Sequence, residues 1–163
     1  MGLFDFLKKD DGESLGNTEE DLLQRLGALA NGEKVTAALF ASHAPVDAGA
    51  ETAADIPGYL GLTENGTLLL IRDPRRGPIE TDFVPLAEVT ELLVSESLMG
   101  ARMFGVKYQG RSYKFCFNHK IPGKRFPNQS TYTDTFMAAI QKRAEEMYGS
   151  FKLKKWNLQD DAD

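Results

Sequence analysis

The 163 residues contain one cysteine and two histidines. A lone thiol cannot close an internal disulfide. Cys116 stands in the aromatic run YKFCF, which reads as the position of a buried, inert thiol. His43 and His119 are far apart and fall in neither H-x-x-x-H nor H-E-x-x-H spacing, so no metal set is expected, and each reads as a loop or strand-end residue. No run approaches the ~18 apolar residues that span a bilayer. The start, MGLFDFLKKDDGES, has no continuous apolar stretch before a small-residue cleavage site, so the expected compartment is the cytoplasm. Phe6 stands where acylation of Gly2 would want Ser or Thr.

Motifs that carry chemistry are equally scarce. Gly58 and Gly61 do not form G-x-G-x-x-G, and no G-x-x-x-x-G-K-[ST] occurs to cradle phosphates. The letters GESLG (12–16) match a nucleophile elbow, but that device needs a strand before it, and LKKDDGE is no strand. Glu88, Glu91 and Glu96 read as a solvated strand face. The expectation is a protein with no catalytic residues, no metal and no cofactor.

Charge is plentiful and unevenly placed. Residues 1–100 carry 7 Lys+Arg against 18 Asp+Glu, a balance of −11, while residues 101–163 carry 12 against 6, a balance of +6. Such a chain either offers a basic patch to an anionic partner or intermingles the two signs in one fold.

Residues 1–16 read as a flexible tail, an apolar start followed by KKDDGES, whose removal should leave the fold intact. Residues 17–32 read as a helix: Thr18 is the N-cap with Asp21 three residues on, Leu22, Leu23, Leu26 and Leu29 recur on one face, and Asn31-Gly32 stops it. Strand grammar then takes over. KVTAALFAS (34–42), DIPGYLGLT, GTLLLIRD, TDFVPL, EVTELLVSE, ARMFGVKY and RSYKFCF follow in turn. Asn65-Gly66 predicts a type I′ hairpin turn, and Gln109-Gly110 joins the last two strands. In RSYKFCF, Tyr113, Phe115 and Phe117 alternate with Ser112, Lys114 and Cys116, so the aromatic face points into a core. After a loop, Thr131 and Asp134 repeat the capping pattern, and Tyr132, Phe136, Ile140, Ala144 and Met147 follow at helical spacing until Gly149. Residues 150–163 read as a C-terminal extension, either an added strand or an unstructured tail, with basic residues before an acidic end.

About seven short strands closed by one amphipathic helix match few small architectures. GYLGLTENGTLLLI (58–71), FVPLAEVTEL (83–92) and LLVSESLMGARMFGVKYQGRSYKFCF (92–117) resemble bacterial members of the pleckstrin-homology-like (PH-like) superfamily. The resemblance implies a mostly β (α+β) fold over residues 33–149: a PH-like barrel of about seven antiparallel strands in two packed sheets, closed by the C-terminal helix, with the N-terminal helix added. It also implies that a lipid headgroup would be held by cations on the first two strands and their loop. Here that loop and its margins hold Asp47, Glu51 and Asp55, with Lys34 the nearby positive charge, and Thr67 and Leu68 replace a basic residue. Inositol-phosphate lipid is therefore not the expected ligand, and neither is nucleic acid.

The expected function is a non-catalytic protein-interaction or self-assembly module whose partner is another protein or a second copy. Its candidate surface is the loop HKIPGKRFP: His119, Lys120, Lys124, Arg125 and Phe126. The alternative is a peripheral membrane protein standing on Leu3, Phe4, Phe6, Leu7, Lys8 and Lys9 as an amphipathic foot, with weak membrane contact. A small-ligand carrier or enzyme is the third reading.

Overall fold

The computed structural model describes residues 16–49, 51–97, 100–149 and 154–156. A helix, α1 (Glu19–Leu29), precedes seven strands: β1 (Val35–His43), β2 (Ile56–Thr63), β3 (Thr67–Arg72), β4 (Glu80–Pro85), β5 (Glu91–Ser97), β6 (Arg102–Tyr108) and β7 (Arg111–Phe117). A single 3-10 turn, Leu86–Glu88, lies between β4 and β5. Then come the long helix α2 (Gln129–Tyr148) and a short strand β8 (Lys154–Trp156). The strands form one hydrogen-bonded ladder in the order β4-β3-β2-β1-β7-β6-β5-β8, antiparallel except where β8 lies parallel on β5.

The expected barrel is thus an open sheet. Among the described residues β4 and β5 do not pair, because Pro85 and the 3-10 turn carry the chain round the corner between them. Nor are there two separate sheets, since Ser42 and His43 of β1 bond to Cys116 and Phe115 of β7 and join the halves. Inward residues of both halves still share one core. Leu39, Leu60, Leu70, Val84, Phe104 and Phe115 meet Phe136, Ile140 and Ala144 of α2. The Phe136 ring lies edge-on to Phe104 and Phe117, with centroids 5.4 and 5.6 Å away. The apolar stripe of α2 thus covers the inner face of an open sheet, through the side chains its helical spacing puts there.

A second core lies on the outer face. Leu22, Leu26 and Ala30 of α1 cover Ala38, Tyr59, Leu69 and Ile71, which makes β2 and β3 apolar on both faces. Gly61 allows this approach, because a Cβ there would stand 2.9 Å from Leu26 Cδ2. The Tyr59 hydroxyl donates to the Gly16 carbonyl, so residue 16 belongs to the fold and not to the tail. Burial, and then the nearby Asp21 carboxylate, push that hydroxyl's pKa up to about 12.

Three local expectations change. Asn65-Gly66 is not a type I′ turn: only Gly66 has positive φ, and Glu64–Gly66 is a three-residue loop whose Gly66 N bonds Thr63 O. Of these two hairpins, the one with positive φ at both turn residues is Gln109-Gly110, at 53° and 80°. The second capping box is absent, since α2 begins at Gln129 with Thr131 inside it and Asn128 at the cap. Tertiary bonds from Glu19 and Gln129 start the helix three residues early. The first cap does form, with Thr18 Oγ1 accepting from Asp21 N at 3.2 Å and donating to Asp21 Oδ2 at 2.7 Å.

Candidate functional site

The loop 118–128 joins β7 to α2 and is fixed at several points. Phe126 is 4% exposed and stacks on Phe40, with centroids 5.2 Å apart. Phe126 is therefore an anchor in the outer core and not part of the interaction surface, because Phe40 and α1 offer it an apolar seat. Ile121 packs against the same core. At the loop's end, Glu19 Oε1 accepts from Asn128 N at 2.9 Å and Oε2 from Asn128 Nδ2 at 2.7 Å, while Glu19 N donates to Arg125 O at 2.7 Å.

Gln129, 2% exposed, completes the frame. Its Oε1 accepts from Phe40 N at 3.1 Å, and its Nε2 donates to Phe40 O and Asn118 O, each at 3.1 Å. β1 pairs with β7 only at Ser42 and His43, so Phe40 lies where the two strands have parted. The amide of Gln129 supplies both bonds a neighbouring strand would have made there.

On this frame His119, Lys120, Lys124 and Arg125 are exposed. His119 Nε2 lies 3.1 Å from Asp134 Oδ1. Arg125 sits 6.0 Å from the centre of the Phe126 ring. Lys120, Lys124 and Arg125 have no carboxylate partner among the described residues, in contrast to Arg72, Arg102, Lys107, Arg111 and Arg143, each of which faces one. A hollow of about 310 Å³ between Lys120, Gly123 and the first turn of α2 lies beside them. Exposed cations on an ordered backbone, with no carboxylate partner among the described residues, can hold carboxylates or phosphates beside a hollow; they offer no nucleophile.

The loop end of the β1–β4 half is also charged: Arg72 and Asp47 are paired there, whereas the exposed Arg75 and Arg76 of the β3–β4 loop have no carboxylate partner among the described residues. Arg72 is buried, its Nε donating to Glu80 Oε1 at 3.1 Å and its Nη2 to Asp82 Oδ2. His43, 1% exposed, lies in the same region. Its Nε2 lies 3.2 Å from the Tyr59 carbonyl, which can only accept, so the proton is on Nε2. Burial first, and then the Arg72 charge, lower the His43 pKa to about 3. Asp47 ties the β1–β2 connection to β7, accepting from Ser112 N at 2.8 Å and facing Arg111 at 3.6 Å. Lys34 lies at the other end of β1, where its backbone bonds Glu64. Leu68 is buried in the core, and Thr67 N donates to Thr63 Oγ1. Cys116 is half-buried, with its thiol pKa raised chiefly by burial. Leu3, Phe4, Phe6, Leu7, Lys8 and Lys9 lie outside the described residues.

Sequence reasoning missed Glu19, Gln129, Arg72 and the depth of His43. Only the strand-ending position of His43 was readable beforehand.

Among the described residues, fold and loop together define a mostly β domain of one open sheet and two helices that holds a clasped cationic loop. No family model matches the chain, and no curated protein matches it. Among solved structures it is similar to the hSac2 domain from human phosphoinositide phosphatase Sac2, at 12% identity and a TM-score of 0.43, over 88% of this chain and 93% of that chain. No helix of the described residues is long and apolar enough to cross a membrane. The described residues contain no group of three or more His, Cys, Asp or Glu side chains placed to hold a metal ion.

Proposed function

We propose that the chain is a non-catalytic interaction module of the PH-like type, and that its cationic loop binds an acidic protein surface, including the acidic part of a second copy. The PH-like reading is supported by the strand order β4-β3-β2-β1-β7-β6-β5 followed by a helix over the core. One observation carries the binding role. Lys120, Lys124 and Arg125 stand exposed without carboxylate partners among the described residues, on a loop whose backbone is held by Glu19, Phe126 and Gln129. A loop already ordered loses little further freedom on binding. The charges supply attraction and orientation, and they weaken with salt.

The test is charge reversal. Lys124→Glu with Arg125→Glu should weaken binding of a labelled poly-glutamate peptide and lower any self-association seen by analytical ultracentrifugation. Raised salt should do the same to the wild type, while the unfolding midpoint barely moves because exposed charges contribute little. Equal peptide binding and self-association by variant and wild type would reduce the loop to an ordinary connection.

A further inference from the structure

The two halves of the sheet differ on their outer faces. α1 covers β1–β3, whereas no described helix covers β5–β7. There Leu93, Gly105 and Lys114 lie in register across three strands, and strand alternation puts them on one face. The missing side chain of Gly105 opens a groove of about 460 Å³. Leu93 and Tyr148, 42% and 53% exposed, form its rim at β5, while Pro45 and Ala48 wall the far side. Three charges line it: Lys107 and Glu91, 3.5 Å apart, and Lys114, whose Nζ reaches the Gly49 carbonyl at 3.4 Å, so lysines outnumber carboxylates two to one.

We propose that this groove seats the chain's own N-terminal segment, Leu3–Leu7, with Phe4 and Phe6 entering beside Gly105 and Asp5 facing Lys107 and Lys114. The occupant is chosen on chemistry and on reach. Leu3, Phe4, Phe6 and Leu7 are four large apolar side chains with one carboxylate among them, which suits an apolar floor with lysines at its margin. The other apolar stretch near a chain end, residues 151–158, interleaves Lys152, Lys154 and Lys155 with its apolar residues and would set like charges against Lys107 and Lys114. It is also already committed in part, through β8 on β5.

The reach is sufficient within one molecule. Gly16 is held by Tyr59 on the outer face of β2. The sheet order puts three ladder steps between β2 and β6, roughly 14 Å at about 4.8 Å per step. Residues 8–15, fully extended, span up to about 29 Å. Docking in this way covers the residues that would otherwise form a membrane foot, so the foot and the groove exclude each other. The proposal is independent of the cationic loop.

The experiment uses the full chain labelled with nitrogen-15. Phe4→Ser with Phe6→Ser should shift the amide resonances of Leu93, Gly105, Lys107 and Lys114, and an added peptide of residues 1–12 should move them back towards the wild-type positions. The same peptide should do nothing once Gly105→Leu is added. That residue is tolerable, since a Cβ there would meet only Leu93 Cβ, at 3.9 Å. If Gly105→Leu fails to give a dispersed spectrum, Leu93→Lys takes its place. Unmoved resonances, shifts confined to another face, or restoration despite a blocked groove each overturn the proposal. A perturbation that depends on protein concentration overturns it in favour of docking between copies. Shifts that appear only with anionic vesicles overturn it in favour of a lipid surface.

Discussion

Both carboxylate oxygens of Glu19 are engaged by Asn128, one by its backbone N–H and one by its side-chain amide, so the first residue of α1 closes the N-terminus of α2. The negative charge sits where the dipole of α2 favours it. Glu19→Ala should cost about 1 kcal/mol, by urea denaturation, and should speed amide exchange in residues 119–127. An unchanged midpoint together with unchanged loop exchange would mean that the fork holds nothing in solution.

Phe136 is fully buried among the rings of Phe104, Phe115 and Phe117. Phe136→Ala leaves a ring-sized void between α2 and both sheet halves, and the expected loss is about 3 to 5 kcal/mol. Thermal unfolding close to that of the wild type would place the ring outside the core.

His43 gives the protein a pH dependence whose sign is fixed. Its pKa is about 3 when folded against 6.5 for the free side chain, so between these values the unfolded chain binds a proton that the folded chain refuses. Stability therefore falls as pH drops from about 6.5 towards 3, by at most about 1.4 kcal/mol per pH unit from this group. His43→Gln keeps a donor for the Tyr59 carbonyl and removes the titration. Denaturation of the two proteins at pH 7 and pH 4 should show the wild type losing more; equal losses would mean that His43 is protonated in the folded state.

Gly58 permits the closest approach in β2. A Cβ there would stand 1.9 Å from the Ile71 carbonyl oxygen and 2.9 Å from His43 Cδ2, and the first of these contacts is backbone that cannot step aside. Gly58→Ala should destabilise by about 3 kcal/mol. Gly105→Ala, by contrast, meets nothing closer than 3.9 Å and should be nearly silent in the same assay.

The strands and the apolar stripe of α2 were legible because each is written locally, in period two or in helical spacing. Phe136 and Ile140 fall where the stripe puts them. Phe126 was misread because its sequence neighbours are basic, whereas its seat is made by Phe40 and α1, far away in the chain. Glu19 and Gln129 left no local trace, as their partners lie 109 and 89 residues distant. The type I′ reading of Asn65-Gly66 failed for a related reason: Gly66 closes a three-residue loop as Glu64 N bonds back to Lys34 O just before β1, a tie that the Asn-Gly pair does not encode.

The two-rung seam between β1 and β7 bears on how the chain is made. β1–β4 and β5–β7 are each runs of neighbouring hairpins, able to zip up as they emerge from the ribosome, but the rungs at Ser42 and His43 must wait for Cys116 and Phe115. Closing so long a loop is entropically costly for two rungs and the bonds of Ala44 N to Lys114 O and Asp47 N to Ser112 O beside them. The contacts that repay it, Gln129 on Phe40 and Phe136 among the β6 and β7 rings, belong to α2. Birth of the shared core is therefore timed by nearly the last helix translated, and a nascent chain stalled before residue 129 holds two half-sheets with their apolar inner faces still wet.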